Sequence, residues 1–203
     1  LIHKLGQSHY DIVGREAIEM SRFTTLPVMQ TIRHWRPLRV NYHDTSALAM
    51  RLTNSQTIMN WDYLEPYTSE LNVTHSDIDG MGHANNTCYA IWCENCAWKH
   101  SEDLGLTLQD YQRLDRGVVV HKASYNYLLP AFENNQLMIA TWLTNCDYKL
   151  RLERRFQIIN LQTKQTLMKA HWLMICTVLS TGKPARFPSK FIEVYGSAIV
   201  PSK

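Results

Sequence analysis

At 203 residues the chain has room for one domain of ordinary size, or for a small domain with an extension, and two large domains are excluded. A composition that is 45% hydrophobic and 19% charged excludes a disordered chain, and a net charge of +3, all of it carried before Met59, excludes the dense basic patch of a nucleic-acid binder. No run approaches the roughly 18 to 20 apolar residues of a membrane helix and the sequence opens without an apolar signal core, so a cytoplasmic protein without a membrane partner is expected.

Residues 1–58 carry mixed signals. Short helical stretches read around Ile12 to Ser21 and near Ser46 to Leu52, with breakers at Pro27 and Pro37, and the segment is taken as an N-terminal extension of unassigned fold. The domain expected over residues 59–203 begins with a strand, Pro66 to Asp77, that leads into a Gly-rich connection, Asp79 to Gly82. A helix follows from about Asn86 to Leu104, because Tyr89, Trp92, Cys93, Cys96, Ala97, His100 and Leu104 recur at spacings of three and four and Gly105 supplies a stop.

Four long alternating segments come next: Gly117 to Tyr127, Gln136 to Asp147, Leu150 to Leu161 and Thr166 to Leu179. Pro130 with Asn134-Asn135, Thr163-Lys164-Gln165 and Thr181-Gly182 bound them with turn chemistry. One strand, one apolar-faced helix and a run of long strands predict an α+β layout with a curved antiparallel sheet wrapped around the helix. The five cysteines, odd in number and irregularly spaced, read as free thiols.

The densest information lies in Asp77-Ile78-Asp79-Gly80-Met81-Gly82-His83-Ala84-Asn85-Asn86, followed by Tyr89 and Trp92. A hydrolytic site needs a group that activates water or attacks directly, and donors for the oxyanion that develops on a carbonyl. A carboxylate just before a helix N-terminus meets both needs, since the first N–H groups of the helix are unpaired and favour negative charge. Asp79 is the candidate for the first role. Gly82 lets a substrate approach the backbone closely, and Asn85 or Asn86 is the N-cap.

This D-x-D-x-x-G-H-x-N-N-x-x-Y-x-x-W pattern resembles the signature of hot-dog fold thioesterases of the 4-hydroxybenzoyl-CoA and bacterial acyl-CoA hydrolase type, over roughly Trp61 to Tyr195. It is related to the motif of plant acyl-carrier-protein thioesterases. The resemblance implies a hot-dog fold and hydrolysis of an acyl-CoA or acyl-carrier-protein thioester. It places the catalytic carboxylate on Asp79, with His83 matching the histidine of the plant motif and Gly82, Asn85, Asn86 and Tyr89 on the substrate side. It also implies a homodimer or higher homo-oligomer with the site between protomers, and no metal or cofactor beyond the CoA of the substrate. Met81 departs from the plant pattern, which has asparagine there.

Other readings stay beside this one. A non-catalytic hot-dog module that binds acyl-CoA and acts through residues 1–58 is the alternative from another class. Cys93-x-x-Cys96-x-x-x-His100 has metal-like residue types, but these positions coincide with the predicted buried helical face and read as core. Glu94, one position off that face, is either a second carboxylate of the site or a solvated or dimer-contact glutamate. His121 is expected either in the core or lining an acyl tunnel.

Overall fold

The computed structural model describes residues 59–201. The helical stretches read around Ile12 to Ser21 and Ser46 to Leu52 lie outside the described residues. The chain runs β1 (Tyr67–Asn72), a 3₁₀ turn (His75–Asp77), α1 (Asn86–Asp103), α2 (Leu108–Leu114), β2 (Arg116–Tyr127), β3 (Gln136–Cys146), β4 (Arg151–Asn160), β5 (Thr166–Val178) and α3 (Ser189–Ser197). The strands form one antiparallel sheet in the order β1-β3-β4-β5-β2, and α1 packs on it over β3 and β1. This is the α+β wrap expected from the sequence. Among the described residues no helix is long and apolar enough to cross a membrane.

The helix forms where its stripe of apolar residues predicts. Tyr89, Trp92, Cys93, Cys96, Ala97 and His100 are buried on the sheet side. Full burial of a large apolar side chain contributes roughly 1.5–3 kcal/mol relative to leaving it exposed, so this stripe fixes the face that α1 presents. The stop is a Schellman motif: the Leu106 N–H donates to the Ser101 carbonyl at 2.8 Å and the Gly105 N–H to the Glu102 carbonyl at 2.9 Å, with Gly105 at φ +91.

On the sheet, Leu152, Phe156 and Ile158 of β4 and Ala170, Trp172 and Met174 of β5 alternate inward under α1, and the Phe156 and Trp172 rings meet edge-to-face at 4.7 Å. β3 is buried almost continuously because the stretch before β1 covers its other face. Trp61 and Tyr63 pack on Trp142 at 6.0 and 5.5 Å, the Trp142 indole N–H donates to the Leu64 carbonyl, and Gln157 bonds to the Asp62 N–H and the Asn60 carbonyl.

The four long strands match the predicted segments within one residue at each end, but two expectations are corrected. The strand expected from Pro66 to Asp77 stops at Asn72, because the Thr74 N–H and hydroxyl both donate to the Asp77 carboxylate at 2.8 Å and turn the chain into the 3₁₀ segment. His121 is exposed rather than in the core, and it does not line the cavity along α1: β2 is an edge strand with a bulge between Val120 and Lys122. All five cysteines are free thiols.

Candidate active site

The centre of the signature, Ile78 to Ala84, is the loop between the 3₁₀ turn and α1. A bridge pairs Ile78 with Ala84, the Asp79 N–H donates to the His83 carbonyl at 2.9 Å, and the Gly82 N–H donates to the Asp79 carbonyl at 3.0 Å. Asp79 Oδ1 accepts from the Met81 N–H at 2.8 Å, an Asx turn that fixes the carboxylate against its own loop. Gly82 closes the turn at φ +81, and a Cβ there would meet nothing within 4 Å, so the backbone conformation accounts for the glycine. Two further bonds of 2.8 Å tether the loop: the Ala84 N–H to the Ala131 carbonyl and the Asn85 N–H to the Asp77 carbonyl.

With Oδ1 engaged, Asp79 Oδ2 faces His83 Nδ1 at 3.8 Å, and the side chains are 25% and 33% exposed respectively. His83 Nδ1 also lies 3.3 Å from the Ala84 carbonyl, so the tautomer protonated on Nδ1 donates there and leaves Nε2 as an acceptor. Asn85 is the N-cap, its side-chain oxygen accepting from the Thr87 N–H at 2.9 Å and the Thr87 hydroxyl at 2.8 Å. The Cys88 N–H donates to the Asn85 carbonyl at 2.9 Å, whereas the Asn86 N–H has no acceptor among the described residues. The Tyr127 hydroxyl donates to the Asn86 carbonyl at 3.3 Å. Tyr89 is buried, and its hydroxyl accepts from the Ala131 N–H at 3.1 Å.

These residues border a cleft of about 330 Å³ lined by His83, Asn86, Tyr89, Tyr127, Leu128 and Pro130, with Ala84 and Leu129. His83, Asn86 and Tyr89 are thus brought to one place, and Asp79 adjoins it through His83. Gly82 and Asn85 do not line the cleft: the first shapes the loop and the second caps the helix. The Asp77 carboxylate is held by Thr74. Tyr127 and Leu128 to Pro130, the opposite wall, carry no motif in the sequence and reach the helix only because β2 closes the sheet's edge beside α1.

A second, larger cavity of about 480 Å³ continues along α1 toward its C-terminal end, and the exposed Glu94 lines it together with Ala90, Trp98 and Tyr125. Cys93 and Cys96 are core residues, and burial pushes the Cys96 thiol up to about 11. The His100 ring accepts at Nδ1 from the Arg154 guanidinium at 2.9 Å; burial first, and then that guanidinium's charge, push its pKa down to about 3. Among the described residues no group of three or more His, Cys, Asp or Glu is placed to hold a metal ion.

Residues 73–194, more than half of the chain, match the family model of the thioesterase-like superfamily, and the chain belongs to that superfamily of thioester hydrolases. Solved structures agree on the fold. The 1,4-dihydroxy-2-naphthoyl-CoA thioesterase from Synechocystis is 22% identical with a TM-score of 0.58, over 66% of this chain and 96% of that one. The DHNA-CoA thioesterase from Staphylococcus aureus is 21% identical with a TM-score of 0.60, over 65% and 89%. A hypothetical protein from Staphylococcus aureus solved in complex with CoA is 18% identical with a TM-score of 0.60, over 66% and 86%. No curated protein matches the chain.

Proposed function

We propose that the chain hydrolyses an acyl-CoA thioester to the carboxylic acid and free CoA, with Asp79 as the catalytic carboxylate. The observation that carries the proposal is the Asp79–His83 pair, held on one closed loop at the N-terminus of α1 beside an open cleft. Asp79 Oδ2 takes a proton from a water molecule as its oxygen attacks the thioester carbonyl carbon. The oxyanion develops near the start of α1, where the Asn86 N–H has no acceptor among the described residues and the helix terminus favours negative charge. Collapse breaks the C–S bond, the oxygen of the water stays in the acid, and the proton held by Asp79 leaves with the CoA thiol. His83 orients the carboxylate or the water. The reaction written this way requires no metal or redox group.

We further propose that the working form is a homodimer or higher homo-oligomer. β2 is a twelve-residue edge strand whose outer side is unpaired in the described residues, and Val119, Val120, Leu128, Leu129 and Phe132 are exposed on or beside it. A second assignment of the carboxylate, to Glu94, is favoured by one observation, its place on the wall of the larger cavity.

Release of free thiol from a panel of acyl-CoAs and acyl-carrier-protein thioesters tests the activity. The panel includes aromatic acyl groups, because two of the similar structures are named for a naphthoyl-CoA substrate or its abbreviation. Turnover of at least one thioester is expected. Tight binding of acyl-CoA by calorimetry, with no thiol released from any of them, favours the binding-module alternative.

A further inference from the structure

Arg154 is a cation inside the core. It lies at an inward position of β4, between Leu152 and Phe156, and is 1% exposed. Its guanidinium donates to His100 Nδ1 at 2.9 Å, to the Thr141 hydroxyl at 3.2 Å and to the Ser101 hydroxyl at 3.5 Å, while Nε has no partner. All three acceptors are neutral. Among the described residues no carboxylate lies within ion-pair distance of Arg154. The nearby Tyr111 phenol and Cys96 thiol supply no charge either, since burial holds both above their ordinary values and keeps both protonated. An arginine does not relieve this by losing its proton, and an unpaired buried charge is among the costliest features a core can carry.

Arg154 is also among the residues that line the 480 Å³ cavity between α1 and β2. The other walls are mainly apolar and aromatic: Ile91, Trp98, Val118, Trp172 and Met174 among them. Glu94, the one carboxylate among the lining residues, is seven residues before Ser101 on α1, roughly 10 Å along the helix from the guanidinium's partner. The cavity is also close to the candidate active site. Tyr127 borders the first cleft and Tyr125, two residues earlier on β2 with its ring stacked on that of Tyr127 at 6.1 Å, borders the second. Asn86 lines the first and Ser101 the second, a span of roughly 22 Å of helix.

We infer that the larger cavity binds an amphipathic carboxylate, its apolar body lying along α1 and its carboxylate accepting from Arg154. The carboxylate has two chemical sources: the far end of an acyl chain whose other end is the thioester, or a free fatty acid. Only the first of these rests on the hydrolase reading. A carboxylate at this point makes charge-assisted bonds to an already desolvated, pre-oriented fork and cancels the charge that the fold leaves unbalanced.

Calorimetry on the full chain with dodecanoate and dodecanol tests the site, since the two share an apolar body and differ in the anion. The acid is expected to bind roughly 10- to 100-fold more tightly than the alcohol, a difference that Arg154→Met abolishes without weakening the alcohol and Arg154→Lys retains in part. Equal affinity of acid and alcohol for the wild-type chain overturns the inference, as does an acid preference that persists in a folded Arg154→Met variant. If that variant fails to fold, the wild-type comparison and Arg154→Lys still decide. Hydrolysis of the mono-CoA thioester of hexadecanedioic acid against hexadecanoyl-CoA then separates the sources. An Arg154-dependent preference for the diacid thioester assigns the carboxylate to the substrate's far end, and no preference alongside tight acid binding assigns it to a free acid. If neither of these thioesters turns over while another acyl-CoA does, the carboxylate is assigned to a free acid; if no acyl-CoA turns over at all, the hydrolase reading falls and the binding result stands.

Discussion

His83 Nδ1 stands 3.8 Å from Asp79 Oδ2, while the Asp79 N–H donates to the His83 carbonyl at 2.9 Å, so the two side chains face each other across one closed loop. Backbone bonds, rather than packing, set that distance, and the loop is tethered at Ala131 and Asp77.

Groups that act as a unit lose their effects together. His83→Ala is expected to lower kcat less than Asp79→Asn does, and the double variant to lie close to Asp79→Asn alone rather than at the product of the two losses. Steady-state kinetics on the three proteins checks this, and full multiplicativity would show that the histidine acts independently of the carboxylate.

Tyr89 acts on stability before it acts on substrate. Its hydroxyl accepts from the buried Ala131 N–H at 3.1 Å, so Tyr89→Phe strands that donor, at a cost of about 1–3 kcal/mol. Chemical denaturation should show the loss as a lower midpoint. An unchanged midpoint would mean that water replaces the phenol.

His100 gives folding stability a pH dependence of known sign. Its folded pKa, about 3, lies below the value of about 6.5 it has when unfolded, so between these limits the unfolded chain binds the extra proton. The neutral ring's contribution is therefore complete above about pH 6.5 and is lost progressively as the pH falls toward 3. Thermal melting across this window should show the decline, and His100→Asn, which keeps an acceptor but does not titrate, should flatten it.

Much of this architecture is legible in the sequence, because periodicity reports burial. The α1 stripe from Tyr89 to His100 and the alternation of β4 and β5 follow local rules that hold in the fold. What escaped is what depends on distant closure. The exception is the Thr74-x-x-Asp77 capping box, a local signal that the strand reading of Pro66 to Asp77 passed over. His121 has the spacing of a lining residue, yet its strand lies at the edge of the sheet. The cleft's far wall, Tyr127 to Pro130, is about forty residues from the loop it faces. Arg154 is the converse case: a charge on the inward face of a strand, beside Leu152 and Phe156, is a signal the sequence did contain.

The edge of β2 predicts the assembly. Light scattering at micromolar concentration is expected to give a mass above that of one chain, and Val120→Lys, which puts a charge on the exposed edge, to lower it. A stable and fully active wild-type monomer would show that the site needs no second copy.

The most direct test is kcat of Asp79→Asn on the best substrate, set against Asp77→Asn, with folding checked by thermal melting. Asp79→Asn keeps the size and much of the hydrogen bonding of the side chain but removes the base, so kcat should fall by roughly 10² to 10⁴ with little change in substrate affinity. The Asp77 carboxylate serves the turn at Thr74, so Asp77→Asn should cost far less than tenfold in kcat and roughly 1 kcal/mol in stability. Near-wild-type turnover in a folded Asp79→Asn protein would contradict the mechanism and move the search for the carboxylate to Glu94.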